Sequence, residues 1–276
     1  MSQPAITAQI KALEDEFHVA LFARTSSGMV LSKAGQRLLA HAEKVLAATQ
    51  EFKNEAILLG GELAGKLSVG TLSEPEFIRL GDFLHTLMER FPLIELELRH
   101  QISGAAIEHV RDGTLDTSFY FGELSDPSVT GLRLRDITYR VTAPAAWKDR
   151  LASADWNAVA AEPWIRAPSV STHNQLLGEL FHHQGLEPTK VIEADHESVI
   201  NSLIVSGVGV SLMREEQARA AEASGAAVVW GKARLTTNLW FIYSAERAGD
   251  PVIKALVEVM RDTWGLEVKT GKTPAR

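Results

Sequence analysis

The sequence contains no cysteine, which excludes disulfides, thiolate nucleophiles and cysteine-based metal or cluster sites. It has no apolar run of about eighteen residues and no charged start leading into a hydrophobic stretch. Neither a membrane span nor a secretory signal is therefore predicted, and the cytoplasm is the expected compartment. Excess positive charge is missing as well. A formal net charge of -7 argues against nucleic-acid binding over the whole surface, because such affinity comes mainly from neutralising phosphates with Lys and Arg. Any contact with DNA has to be local. Even residues 1–37 carry four bases (Lys11, Arg24, Lys33, Arg37) against three acids (Glu14, Asp15, Glu16), which is no basic stripe.

Catalytic signatures are equally scarce. There is no HExxH, no phosphate-binding P-loop and no GxSxG elbow. His182 and His183 are adjacent on a predicted helix, so they cannot both face one ion from that side. Gly207-Val208-Gly209 lacks the third glycine and the strand-to-helix context of a dinucleotide loop, and reads instead as a tight turn before a strand. No catalytic residue, metal or cofactor is expected.

At 276 residues the chain is long enough for about two domains. Its first sixty residues carry the most specific pattern. Ser2 can cap a helix with Pro4 in its first turn, and Ile6, Ile10, Leu13 and Phe17 recur on one face. Gln3, Thr7 and Lys11 share a flank of that helix, where they either reach DNA or form an ordinary solvated face. The segment ALFARTSSGMVLSKAG then reads as a strand, a turn at Ser26, Ser27 and Gly28, and a returning strand, which is a hairpin or wing. Ser32 is predicted to cap a long helix to about Leu59. Its Leu38, Ala42, Val45, Thr49, Phe52, Ala56 and Leu59 alternate steps of four and three. Such a seam suits pairing of two chains, although a helix packed on its own domain would show a similar stripe. The Gly-rich GGELAG that follows reads as a linker.

From Lys66 the texture alternates strand and helix. KLSVG is a strand, and Ser73, Pro75 and Glu76 read as a capped start to a helix ending near Phe91. IELELRH, a helix between about Gly104 and Gly113, LDTSFYFG and LRDITYRVTAP follow. A second unit begins near Ala145 with PWIRA, a helix from about Thr172 to Gln184, KVIEAD, a helix from about Glu197 to Ser206, and VGVSLM. TNLWFIYS adds a strand, Pro251 to Trp264 a last amphipathic helix, and the tail KTGKTPAR is expected to be disordered. Alternation of this kind predicts a mostly parallel sheet with helices on both faces. Two α/β lobes joined by crossing strands leave a cleft suited to a small ligand.

Taken in order, SQPAITAQIKALEDEF, LFARTSSGMVLSKAG, KLSVG, FPLIELEL, the DGTLD segment and LIVSGVGVSLM resemble the LysR-type transcriptional regulators from Ser2 to about Trp264. The resemblance implies a partial winged helix-turn-helix and long linker helix over 1–60. It implies a periplasmic-binding-protein-like effector domain over 61–276, with lobe I at about 66–143 and 236–264 and lobe II at about 144–235. Family members normally carry further helices before the position of Met1, so the DNA reader is expected to be incomplete. The first helix would be the recognition helix, with Gln3, Pro4 and Thr7 facing the major groove, Lys11 and Arg24 on phosphates, and Ser26 and Ser27 in the wing. Ala8 sits where relatives often have Arg, which removes a contact. Effector-lining positions would be Thr71, Leu72, Ser73, Ser103, Tyr120, Pro168, Ser169, Thr172 and His196. Helix starts after Ser73, Ser103 and Ser171 would favour an organic anion.

The implied function is an effector-controlled regulator, with double-stranded operator DNA, a small-molecule effector and a second copy of itself as partners. The assembly is a homodimer or homotetramer, and RNA polymerase is a further candidate partner. A solute-binding protein of the same two-lobed fold is the competing class, but it has no use for the N-terminal helix, wing and linker. An enzyme would show clustered acids, bases or cofactor motifs at the cleft, and none is evident.

Overall fold

A computed structural model describes residues 3–25, 28–60, 63–188 and 190–267, and the chain divides into two compact units, Met1–Gly61 and Glu62–Arg276. The expected tail lies outside the described residues. Among the described residues, no helix is long and apolar enough to cross a membrane.

The first unit consists of α1 (Gln3–Phe17), a two-stranded ribbon of β1 (Phe22–Thr25) and β2 (Gly28–Leu31), and α2 (Lys33–Gly60). The strands pair antiparallel from Phe22–Leu31 to Thr25–Gly28. Two polar groups fix this corner. The Glu14 carboxylate accepts from the backbone N–H groups of Leu21 (2.6 Å) and Phe22 (3.1 Å). Ser32 Oγ accepts from the Gly35 N–H at 2.9 Å and donates to the Ala20 carbonyl at 2.6 Å, so the predicted cap opens α2 by satisfying an orphan donor. Gly35 lies against the Leu21 carbonyl with no space for a Cβ. Ile6, Leu13 and Phe17 on α1, and Leu38, Val45 and Phe52 on α2, are exposed.

In the second unit, β3 (Ala64–Thr71), α3 (Leu80–Arg90), β4 (Leu93–His100), α4 (Ser103–Arg111) and β5 (Thr117–Phe121) lead into the long strand β6 (Val129–Pro144). Next come α5 (Lys148–Ala152), α6 (Trp156–Ala160), β7 (Pro163–Arg166), α7 (Thr172–His182), β8 (Lys190–Glu193), α8 (Glu197–Val205), β9 (Ser211–Arg214) and α9 (Glu215–Ala223). The second long strand, β10 (Ala227–Ser244), and α10 (Pro251–Trp264) complete the unit. The main sheet has the order β4-β3-β5-β10-β6-β9. In this sheet β3 pairs in parallel with β4 and β5, whereas β10 is antiparallel to its neighbours β5 and β6, and β6 to β9. The sheet is thus mixed rather than mostly parallel, because β10 returns alongside β6 instead of crossing over a helix.

The β6/β10 ribbon organises the unit. Its pairs run from Val129–Ser244 to Pro144–Ala227. At one end Leu239–Tyr243 of β10 pair with β5, and at the other Tyr139–Thr142 of β6 pair with β9. A parallel bridge between Trp164 and Val210 ties the β7–β8 pair to the β9 end. Each end therefore collects its own strands and helices, giving two lobes. Phe83, Phe119 and Phe241 pack in the core of the first, with ring centroids 5.4 to 5.7 Å apart. Trp164 packs edge-on to Phe181 in the second at 4.9 Å and donates Nε1–H to the Val159 carbonyl.

Helix α10 shows how legible an end can be. Asp250 caps its start by accepting from the Val252 N–H, Pro251 occupies the first turn, and Gly265 closes the end in the left-handed conformation. Helix α3 differs from expectation. It starts at Leu80 rather than near Ser73, because residues 75–79 form turns and Arg79 at the N-cap is left-handed. The Ser73 hydroxyl is engaged elsewhere.

Candidate functional site

The two lobes face one another across a cavity of about 70 Å³. From one side it is bounded by the turn after β3 (Leu72, Ser73, Glu74, Phe77) and the segment after β4 (Gln101, Ile102). The opposite wall comes from the starts of α7 and α8 (Ser171, Thr172, His173, Asp195, Glu197) and from Arg214 at the end of β9. That volume falls well below the roughly 300 Å³ of a small drug-sized site, so the cavity suits a small polar group.

Several contacts bridge the lobes here. Ser73 Oγ lies 2.9 Å from His100 Nε2 and 3.1 Å from His196 Nδ1. A hydroxyl has a single proton, so at least one of these imidazoles donates to it. Burial lowers the His100 pKa, with His196 beside it acting in the same direction. Thr172 Oγ1 donates to the carbonyl of Phe121 at the end of β5. Gly104, at the start of α4, meets the Val170 carbonyl with no space for a Cβ.

Arg214 is the most constrained charge of the site. Its side chain is 3% exposed and forms an ion pair with Glu74. Its guanidinium carbon lies 3.7 Å from the Phe77 ring centroid. Its Nε is 3.2 Å from Glu197 Oε2 but not in hydrogen-bonding alignment, so that contact is coulombic. Burial brings the Arg214 pKa down to about 10. Glu197 accepts from the Tyr139 hydroxyl at 2.7 Å, and burial raises its pKa while that hydrogen bond opposes the rise. Burial raises the Tyr139 pKa well above the usual phenol value, with Glu197 adding to it. His173 is 5% exposed, its Nε2 lies 3.1 Å from the Leu212 carbonyl, and Nδ1 has no partner among the described residues. Desolvation brings its pKa down to about 4, so it is neutral near pH 7.

Of the positions named from sequence, Leu72, Ser73 and Thr172 line the cavity, and His196 joins it through Ser73. The others stand apart. Thr71 is buried, with its carbonyl accepting from the Gln101 N–H. Pro168 closes its own turn by accepting from Ser171, and Ser169 is exposed outside the cavity. Tyr120 borders a separate open groove and donates to the Glu123 carbonyl at 3.2 Å. The side chain of Ser103 lies outside what is described. Glu74, His173, Glu197 and Arg214 were missed; the acid at the first turn of α8 was the one local signal that pointed toward them. In the first unit Thr7, Lys11 and Arg24 are exposed. Ser26 and Ser27, and the side chains of Gln3 and Pro4, lie outside the described residues.

Comparison with known proteins places this geometry. Residues 60–265 match the LysR substrate binding domain, and residues 1–36 match the bacterial regulatory helix-turn-helix proteins of the lysR family. The HTH-type transcriptional regulator XapR of Escherichia coli is 21% identical over 260 residues, covering 93% of this chain and 87% of that protein. Full-length OxyR of Pseudomonas aeruginosa, a variant form, superposes with a TM-score of 0.62 at 21% identity over 98% of this chain and 90% of its own. ArgP of Mycobacterium tuberculosis gives 0.66 at 16% identity over 96% and 89%. The chain belongs to the LysR family of transcriptional regulators, with a DNA-binding helix-turn-helix segment followed by an effector-binding domain.

Proposed function

We propose that this regulator senses a small molecule in the cavity bridged by Ser73, Thr172, Glu197 and Arg214, and that occupancy changes how a pair of N-terminal arms sits on operator DNA. The observation that carries the reading is a cavity of mixed apolar and polar lining whose walls come from both ends of the β6/β10 ribbon, so a ligand there contacts both lobes at once. A ligand shifts a two-state equilibrium only through differential contacts, and such a position supplies them. No catalytic step is required.

On DNA, α1 enters the major groove with Gln3, Pro4 and Thr7 toward base edges. Lys11 and Arg24 meet phosphates, and the Ser26–Ser27 turn follows the groove edge. Two copies pair through the exposed seam of α2, as a dimer or as half of a tetramer, in the cytoplasm and within reach of RNA polymerase. The solute-receptor alternative is not favoured, because residues 1–36 match a helix-turn-helix family.

The test has two arms. Genomic fragments selected on the native regulator purified from its own source should share an operator motif. A compound panel screened by thermal shift should give a ligand that alters the footprint on that operator, and Ser73→Ala should reduce the shift it causes. Selection of no common sequence, or a ligand response untouched by Ser73→Ala, would overturn the respective half of the proposal.

A further inference from the structure

The expectation of an anionic effector came from helix starts, but the side chains facing the cavity do not favour it. Three carboxylates line it (Glu74, Asp195 and Glu197) against the single guanidinium of Arg214. Of the helix starts, that of α7 is already capped, Ser171 accepting from the Asn174 N–H, and that of α8 carries the Glu197 carboxylate in its first turn, which leaves only the side-chain-uncapped start of α4 to favour an anion. An anion entering this space meets an excess of negative charge at short range, where low dielectric magnifies repulsion.

His173 supplies an independent indication. It is buried in the cavity wall, and neutral imidazole carries one N–H, which Nε2 directs to the Leu212 carbonyl. Nδ1 is then a lone-pair acceptor with no partner among the described residues. An unpaired buried acceptor is costly and calls for a donor. The wall thus asks its occupant for positive charge and N–H groups.

Arg214 already answers part of that demand. Its guanidinium sits between Glu74 of one lobe and Glu197 of the other and stacks on Phe77. From this geometry we infer that the effector is a small organic monocation, a guanidinium or primary ammonium, which takes the place of the Arg214 guanidinium between Glu74 and Glu197. The inference rests on the cavity being the effector site. A side chain already held against its partners competes at a very high effective concentration, so the effector needs further contacts, and the acceptors Asp195 and His173 Nδ1 provide them. Displacement also has a structural output. Arg214 ends β9 and the next residue, Glu215, opens α9 while pairing with Arg140 of β6 at 2.9 Å. Freeing Arg214 therefore loosens a junction on the ribbon that joins the lobes.

The test is chemical rescue on the full chain. Arg214→Ala should lower Tm, and methylguanidinium or propylammonium should restore it with saturable dependence, whereas propionate at equal ionic strength should not. A rise is diagnostic because guanidinium salts otherwise lower stability. Adding Glu74→Gln to Arg214→Ala should abolish the rescue. The wild-type chain should bind the same cations more weakly, since Arg214 competes. Should Arg214→Ala not fold, Arg214→Met keeps the aliphatic stem over Phe77, and saturation-transfer NMR on the wild-type chain reads the same contrast. Binding of propionate but not the cations, lost on Ser73→Ala, would overturn the cationic class while leaving the cavity as the site. Binding of neither class, or cation binding indifferent to Glu74→Gln, would overturn the assignment of the cavity itself.

Discussion

Arg214 and Glu74 form an ion pair although 140 positions separate them in the chain. One ends a strand of the second lobe and the other sits in the turn after the first strand of the first lobe, so the pair closes the cleft from both sides. Buried pairs of this kind contribute little net stability, since desolvation offsets the attraction, but removing one partner strands a charge.

Tyr139→Phe removes the hydroxyl that donates to Glu197. The carboxylate keeps its largely buried position and loses the one aligned donor it has among the described residues, so stability should fall by about 1–3 kcal/mol. Urea denaturation followed by tryptophan fluorescence reads this directly. An unchanged midpoint would show that Glu197 finds another donor.

His173 should make the protein acid-sensitive. Its native pKa, about 4, lies below the unfolded value of about 6.5. The unfolded state therefore binds more protons between those values, and stability drops as pH falls through that window, by up to about 3 kcal/mol. Glu197, whose pKa is raised, works in the opposite sense, so the difference between wild type and His173→Gln is the quantity to measure. The variant should show a flatter stability profile between pH 6.5 and 4. Parallel profiles would remove His173 as the cause.

Val45 and Phe52 are 66% and 76% exposed on α2, in register with the heptad seam. Replacing both with Glu places like charges across a paired helix, so light scattering should report a smaller oligomer with unaltered far-UV circular dichroism. An unchanged mass would place the interface elsewhere.

Lys11→Ala should weaken operator binding evenly across sequence variants. It should also reduce the slope of log K against log salt by about 1, as one phosphate contact is lost. A sequence-selective loss would move Lys11 from the phosphates to the bases.

Features carried by near neighbours were legible in the sequence. Asp250, Pro251 and Gly265 bound α10 because caps and left-handed ends are decided within a turn, and Ser32 opened α2 for the same reason. The order of short motifs sufficed to identify the family. Helix α9 and the first half of β10 were not evident. In AVVWGKARL only Ala227, Trp230 and Ala233 are buried, a three-residue spacing that departs from the strand period of two because of the register shift between Val229 and Arg234. The start of α3 was misjudged because Ser73, a good cap by type, is recruited by two histidines from either lobe. Local chemistry thus settled the ends of α2 and α10, most of the remaining elements and the family. The charge of the cavity was decided by tertiary structure alone, since Glu74, His173, Glu197 and Arg214 meet only when the β6/β10 ribbon brings the lobes together, and pairing over such separations leaves no periodic trace in the chain.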